Sequence, residues 1–257
     1  MGDWLEFPSD SRGRAAESHE EARGSSPAEE LMRSGESLYY EGEFCEAADA
    51  FRRARRYDPA LFDAWAAEVD ARILWGDLTG AEQTADEALR SFGQAPIFYA
   101  AKALVLAHQG HIEAACEHSD IAVRETTANM FTWLSRAEVV LATGLWGTRE
   151  SVESCFARAT QADPSGWHAN LRAALCLLRW DRAQHAVERL ARVAQAVPAN
   201  PFVWKTMGDC HRALGQAAAA RDCYRKALEC RQGYAPALQA LDEMTLWGRL
   251  RKWVRGG

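Results

Sequence analysis

His108, His111, Cys116 and His118 lie close together in the chain, and imidazole with thiolate is a ligand set that zinc accepts. Their spacing fits no common zinc module. A turn at Gly110 would also leave His108 on a first helix and the other three on the turn and a second helix. No metal site and no cofactor are expected. The acid pairs Glu20-Glu21 and Glu29-Glu30 carry the groups that general acid–base chemistry uses. They fall in a polar tail or on a surface turn, where carboxylates are simply solvated. The chain has no phosphate-cradling glycine loop, no GxSxG and no HExxH, so it is not expected to be an enzyme. Its seven cysteines are scattered with no CxxC pair, which suits small buried hydrophobes in a reducing, cytoplasmic compartment.

Two other features could meet a partner. Trp146, within Gly144-Leu145-Trp146-Gly147, sits where a loop tip is expected and could recognise a surface or fold back on its own repeat. The stretch from Trp247 to Arg255 carries four positive charges and two Trp. That composition suits weak docking on an anionic membrane surface, or simply the solvated basic end of a capping helix.

The bulk numbers narrow the classes. The chain has 257 residues, is 48% hydrophobic and has a formal net charge of -6, with a pI near 5.7. A dedicated nucleic-acid binder needs a net basic face, so no nucleic-acid partner is expected. No apolar run is long enough to span a bilayer. The first residues lack the basic and apolar regions of a secretory signal. Glu6 takes the place of the Ser or Thr that myristoylation after Met1-Gly2 prefers. Residues 1–27 are rich in Ser, Gly, Glu and Arg without apolar periodicity, which predicts a disordered acidic tail.

The elements that position all these residues follow from an internal period. Gly42, Gly76, Gly110 and Gly144 are each 34 residues apart; Asp181 follows 37 on, and Gly215 another 34 on. Ala47, Ala81, Ala115, Val152, Ala186 and Ala220 keep the same intervals, as do Ala54, Ala88, Ala122, Ala159, Val193 and Ala227. Each unit reads as two amphipathic helices joined by a tight turn. Gly, or more strained Asp181, supplies the left-handed residue after the first helix, and the small residues let the helices cross closely. Pro59, Pro164 and Pro198 end second helices.

This pattern resembles the tetratricopeptide repeat. Trp65, Trp133 and Trp204, with Leu31 and Tyr99, hold the leading bulky position. Gly35, Ala103, Ala137, Ala174 and Gly208 hold the first small one, and Phe51, Phe156 and Tyr224 the later aromatic. Asn170, Val193 and Val69 depart from the pattern locally. The resemblance implies an all-α, right-handed α-solenoid with six repeats at 28–61, 62–95, 96–129, 130–166, 167–200 and 201–234. A capping helix and basic tail would follow at 235–257, with Leu238, Leu241, Thr245 and Leu246 covering the last repeat.

In that family the first helices line a concave groove. Transferred here, the groove presents Glu29, Glu36, Tyr39, Asp63 and Asp70 from the first two repeats. Its middle presents Ile73, Leu74, Ile97, Leu104, Phe131, Leu134 and Leu141. Its end presents His168, Arg172, Leu175, Arg179, Lys205 and Arg212. The surface would run from acidic through aliphatic to basic and orient a partner segment with both charge signs. Met32 and Glu36 stand where the family's carboxylate clamp needs Lys and Asn, which argues against a chaperone tail as ligand. The expected function is a protein-binding adaptor, scaffold or assembly chaperone that grips a segment of another protein. The alternative is a regulatory subunit docking on an enzyme through its outer face or ends. Oligomeric state is open.

Overall fold

The computed structural model describes residues 26–93, 95–124, 128–144, 149–163 and 165–255. The expected acidic tail and the Trp146 insertion fall outside these residues, apart from the last two positions of the tail. Ser26 is the N-cap of the first helix: its Oγ accepts from the Glu29 N–H at 3.2 Å, and the Glu29 carboxylate accepts from the Ser26 N–H at 3.0 Å. This capping box, with Pro27 at the first helical position, satisfies donors that otherwise have no partner.

Among the described residues the chain is helical, without strands. The helices are α1 (Pro27–Glu41), α2 (Phe44–Tyr57), α3 (Phe62–Trp75), α4 (Leu78–Phe92), α5 (Pro96–Gln109), α6 (Ile112–Val123) and α7 (Met130–Ala142). They continue as α8 (Arg149–Gln161), α9 (Trp167–Arg179), α10 (Ala183–Ala196), α11 (Pro201–Ala213), α12 (Ala217–Cys230) and α13 (Ala235–Arg255). The first twelve form six antiparallel pairs. Each of the periodic turn residues has positive φ, including Asp181 at 56°. In five of the turns the next N–H donates back to a carbonyl five residues earlier, as Asp77 does to Arg72 at 2.8 Å and Arg182 to Leu177 at 2.8 Å. One closing bond repeated down the stack is why one residue type recurs there.

The small positions are buried for a steric reason. A Cβ at Gly35 would come 2.5 Å from the Phe51 ring, and one at Gly208 equally near the Tyr224 ring. Both alanine series are fully or almost fully buried. The capping helix packs on α12, with Leu241 in place as expected but Leu238 turned outward. Tyr234, Ala237 and Ala240 are buried against Ala220, Tyr224 and Ala227, with Leu241 and Met244 beside them, while Leu238 is 44% exposed. Alanines let α13 lie closer than a leucine face would.

The stack coils until its end returns to its beginning. The turn after α1 abuts the starting ends of α9 and α11, as the edges of a split lock washer overlap. Tyr40 stacks on His168, with Trp167 edge-on at 5.0 Å. Asn200 donates to the Tyr40 carbonyl at 3.0 Å, Phe44 meets Phe202 at 5.6 Å, and Arg231 pairs with Glu41 at 2.7 Å. Gly42 lies flat on the Phe202 ring, where a Cβ would come within 2.4 Å.

Candidate partner-binding surface

The coiling decides what becomes of the concave face. Asp70 on α3 and Arg172 on α9, expected at opposite ends of a groove, form an ion pair across the interior. Tyr39 donates its hydroxyl to the same Asp70 carboxylate at 2.8 Å. One turn deeper, Glu138 on α7 takes four donors. Arg179 pairs with one carboxylate oxygen, joined by Cys176 Sγ at 2.9 Å. His108 Nε2 at 2.9 Å and Trp180 Nε1 at 3.1 Å reach the other. Because an ionised carboxylate only accepts, this contact puts a proton on His108 Nε2. Four donors saturate the oxygens.

The electrostatics follow from these contacts. Burial works against the Glu138 charge, but Arg179 and then His108 outweigh it and hold the carboxyl well below the usual range. Burial likewise works against the Arg172 charge, and Asp70 overcomes it. Cys176 has a carboxylate and an imidazole nearby, the neighbours a nucleophilic thiol would want. Burial and then the Glu138 charge push its pKa well above the ordinary value, so it stays a protonated thiol and not a nucleophile.

Leu104, Phe131 and Leu134 close this layer, all at or below 5% exposure. A void of only about 10 Å³ remains between Tyr39, Ser135, Glu138, Arg172 and Arg179. The interior is therefore filled by its own side chains, and the expected gradient from acidic to basic is replaced by internal pairing. Glu138, absent from the expected groove set, is the hub of this layer. It stands in the fourth repeat where Glu36, Asp70 and Leu104 stand in the first three, so the register alone could have found it.

Above the sealed layer a cavity of about 310 Å³ stays open. Its wall includes Met32, Tyr40, Phe51, Leu61 and Met130, its base includes Tyr39, Phe131 and Arg172, and Glu36 and Asp63 stand exposed at its mouth. Asn129 donates to Asp63 at 3.1 Å, linking the starts of α7 and α3. Partial burial, partly offset by Arg172 and reinforced by Asp63, raises the Glu36 pKa.

Five of the expected groove residues (Glu36, Tyr39, Asp63, Phe131 and Arg172) thus share one cavity. Asp70, Leu104, Leu134 and Arg179 belong to the sealed layer. Leu74 is half-buried against the core, and His168 lies in the seam with Tyr40. Lys205 pairs with Asp209 of its own helix at 2.7 Å, and Arg212 with Glu243 of α13 at 2.9 Å, so Arg212 faces the cap. Among the described residues no helix is long and apolar enough to cross a membrane.

The sequence profile of the tetratricopeptide repeat family matches residues 32–96 and 178–235. No protein of curated function matches the chain. Among solved structures, PilW, a type IV pilus biogenesis factor, is 15% identical with a TM-score of 0.49, covering 85% of this chain and 99% of its own. A TPR protein of Thermus thermophilus, TTC0263, gives the same four values. YrrB, a TPR protein with an unusual peptide-binding site, is 17% identical with a TM-score of 0.42, covering 76% of this chain and 99% of its own. The profile match at both ends, and the same helix pairs between them, make the chain a tetratricopeptide repeat protein, a member of a family of protein–protein interaction scaffolds.

Proposed function

We propose that the chain holds a segment of another protein on its concave side, at the open cavity between α1, α3, α7 and α9, and acts as an adaptor or assembly chaperone. The observation that carries this is the cavity of about 310 Å³, which has the size of a small binding pocket and mixes aromatic walls with charged groups. A long segment cannot lie the length of the concave face, because the Asp70–Arg172 and Glu138–Arg179 layers fill it. A partner must insert from the mouth.

The test is a photo-crosslinking residue in place of Met32 or Met130, compared with one at Arg53 on the outer face, with the captured partner and the crosslinked site identified by mass spectrometry. Crosslinks from the cavity positions alone support the reading. Crosslinks only from Arg53 would move binding to the outside. That second reading, a regulatory subunit docking by its outer face or ends, is favoured by one observation: Tyr57 and Trp75, each the last residue of its helix, are 67% and 52% exposed.

A further inference from the structure

We propose that the open cavity is a socket for a single basic side chain, a lysine or arginine carried by the partner segment. The inference rests on the functional reading above and names what the cavity selects.

The depth of the site is fixed by its floor. Tyr39, Phe131 and Arg172 close it, and Arg172 is already paired with Asp70. At about 310 Å³ the space lies at the small end for binding pockets, enough for one long side chain and part of its backbone but not for a helix. The wall suits such a side chain along its length. Met32, Leu61 and Met130 offer aliphatic surface to a methylene stem, and the Tyr40 ring adds an aromatic face.

The charge balance sets the sign of the occupant. Among the described residues, Glu36 and Asp63 are the carboxylates lining the cavity; the lining cation, Arg172, is ion-paired with Asp70 and offsets Glu36 only in part. Among the described residues Asp63 receives the neutral amide of Asn129, and neither Asp63 nor Glu36 has an ion-pair partner. Partial burial raises the Glu36 pKa, Arg172 offsets part of that, and the nearby Asp63 charge adds to it. A cation placed between them removes that repulsion, whereas an anion or an apolar group does not. A partly desolvated acid beside a second carboxylate in an open cleft, only partly offset by Arg172, marks a ligand site, and here the missing partner is a cation on a long stem.

The experiment follows backbone amide resonances of the full isotope-labelled chain during titration with three blocked amino acids. These are Nα-acetyl-lysine methylamide, Nα-acetyl-arginine methylamide and the uncharged norleucine analogue. The expected result is saturable shifts at Met32, Glu36, Asp63 and Met130 with the lysine or arginine probe. Affinity, of millimolar order for so small a ligand, should drop about tenfold for norleucine and for Glu36→Gln with Asp63→Asn. The two substitutions preserve shape at exposed positions, and spectral dispersion shows whether the fold is kept. Added salt gives a second measurement on the wild type: it should weaken the charged probes and leave norleucine unchanged. Equal binding of norleucine, shifts elsewhere, or no saturation by any probe would overturn the proposal. A partner crosslinked at the cavity through a segment without a basic residue would sink only this inference. Absence of any crosslink there would sink the functional reading itself.

Discussion

The Tyr40 ring lies on the His168 imidazole, centroids 4.1 Å apart and planes 16° from parallel. The two residues come from the first and fifth helix pairs, so this contact exists only because the stack coils back on itself. The seam it belongs to separates this molecule from an open groove and shapes most of what can be measured.

The buried pairs fix how the interior answers to mutation. Arg172→Glu with Arg179→Glu would place two new carboxylates beside Asp70 and Glu138 and is expected to abolish folding. Glu138→Leu alone leaves Arg179 buried without its partner and should cost about 3–5 kcal/mol in urea unfolding. Adding Arg179→Met to Glu138→Leu should recover most of that loss. If the double variant is no better than the single, the loss comes from packing and not from charge.

Acid should loosen the structure in two steps. Burial, opposed by Asp163, lowers the His168 pKa below its ordinary 6.5. Above that value the histidine is neutral in both states; below it the unfolded chain takes the proton first, so stability falls as pH drops through 6.5. Glu138 is held down in the folded state, so its stabilisation is present above about 4.5 and lost as pH falls below. Urea midpoints measured from pH 7.5 to 3.5 should show both steps in the wild type and only the second in His168→Gln. Equal losses between pH 7 and 5 in the two proteins would remove His168 as the cause. Glu36, with its raised pKa, works in the opposite direction but only within the carboxylate range.

A pair of glycines isolates the seam. Gly42 and Gly76 both have positive φ, but a Cβ at Gly76 meets nothing within 4 Å, while one at Gly42 strikes Phe202. Gly76→Ala should cost only the left-handed backbone penalty, about 1–2 kcal/mol. Gly42→Ala should cost clearly more, and Phe202→Leu should relieve part of the excess. Equal costs for the two alanines in chemical unfolding would mean that the seam is open in solution.

How far the amino-acid order reveals this molecule depends on the range of the interaction. Helix pairs, left-handed turns and small crossing residues are local and recur every repeat. Positions such as Asp181 and Gly35 could therefore be read directly, and their structural roles are those expected. Asp70 meeting Arg172 is not local. It depends on the small rotation each pair adds to the next, summed over three repeats, and no single repeat records that sum. A transferred groove register names residues on the concave side but cannot say that the two sides touch. The cap shows the same limit in miniature: leucine spacing chose Leu238, while close approach through Ala237 and Ala240 decided the face.

The register of the cap can be checked at low cost. Leu238→Ser should change stability by less than about 0.5 kcal/mol, as an exposed position does. Ala240→Leu should destabilise by about 1–3 kcal/mol through overpacking against α12. Thermal unfolding of the two variants gives the comparison, and a larger loss from Leu238→Ser would mean that α13 is rotated.

Repeat arrays whose units touch only their neighbours behave as one-dimensional systems: they fray from their termini, and their stability is a sum of links. The seam gives this array something close to a periodic boundary. The first pair has neighbours on both sides, so loosening at either end must break the same set of contacts. These contacts join residues 127 (Tyr40 and Trp167) to 190 (Glu41 and Arg231) apart in the chain, which makes them slow to form, because loop closure must come first. Closure therefore turns an additive chain of links into a body that unfolds in one concerted step, with melting insensitive to which end is weakened.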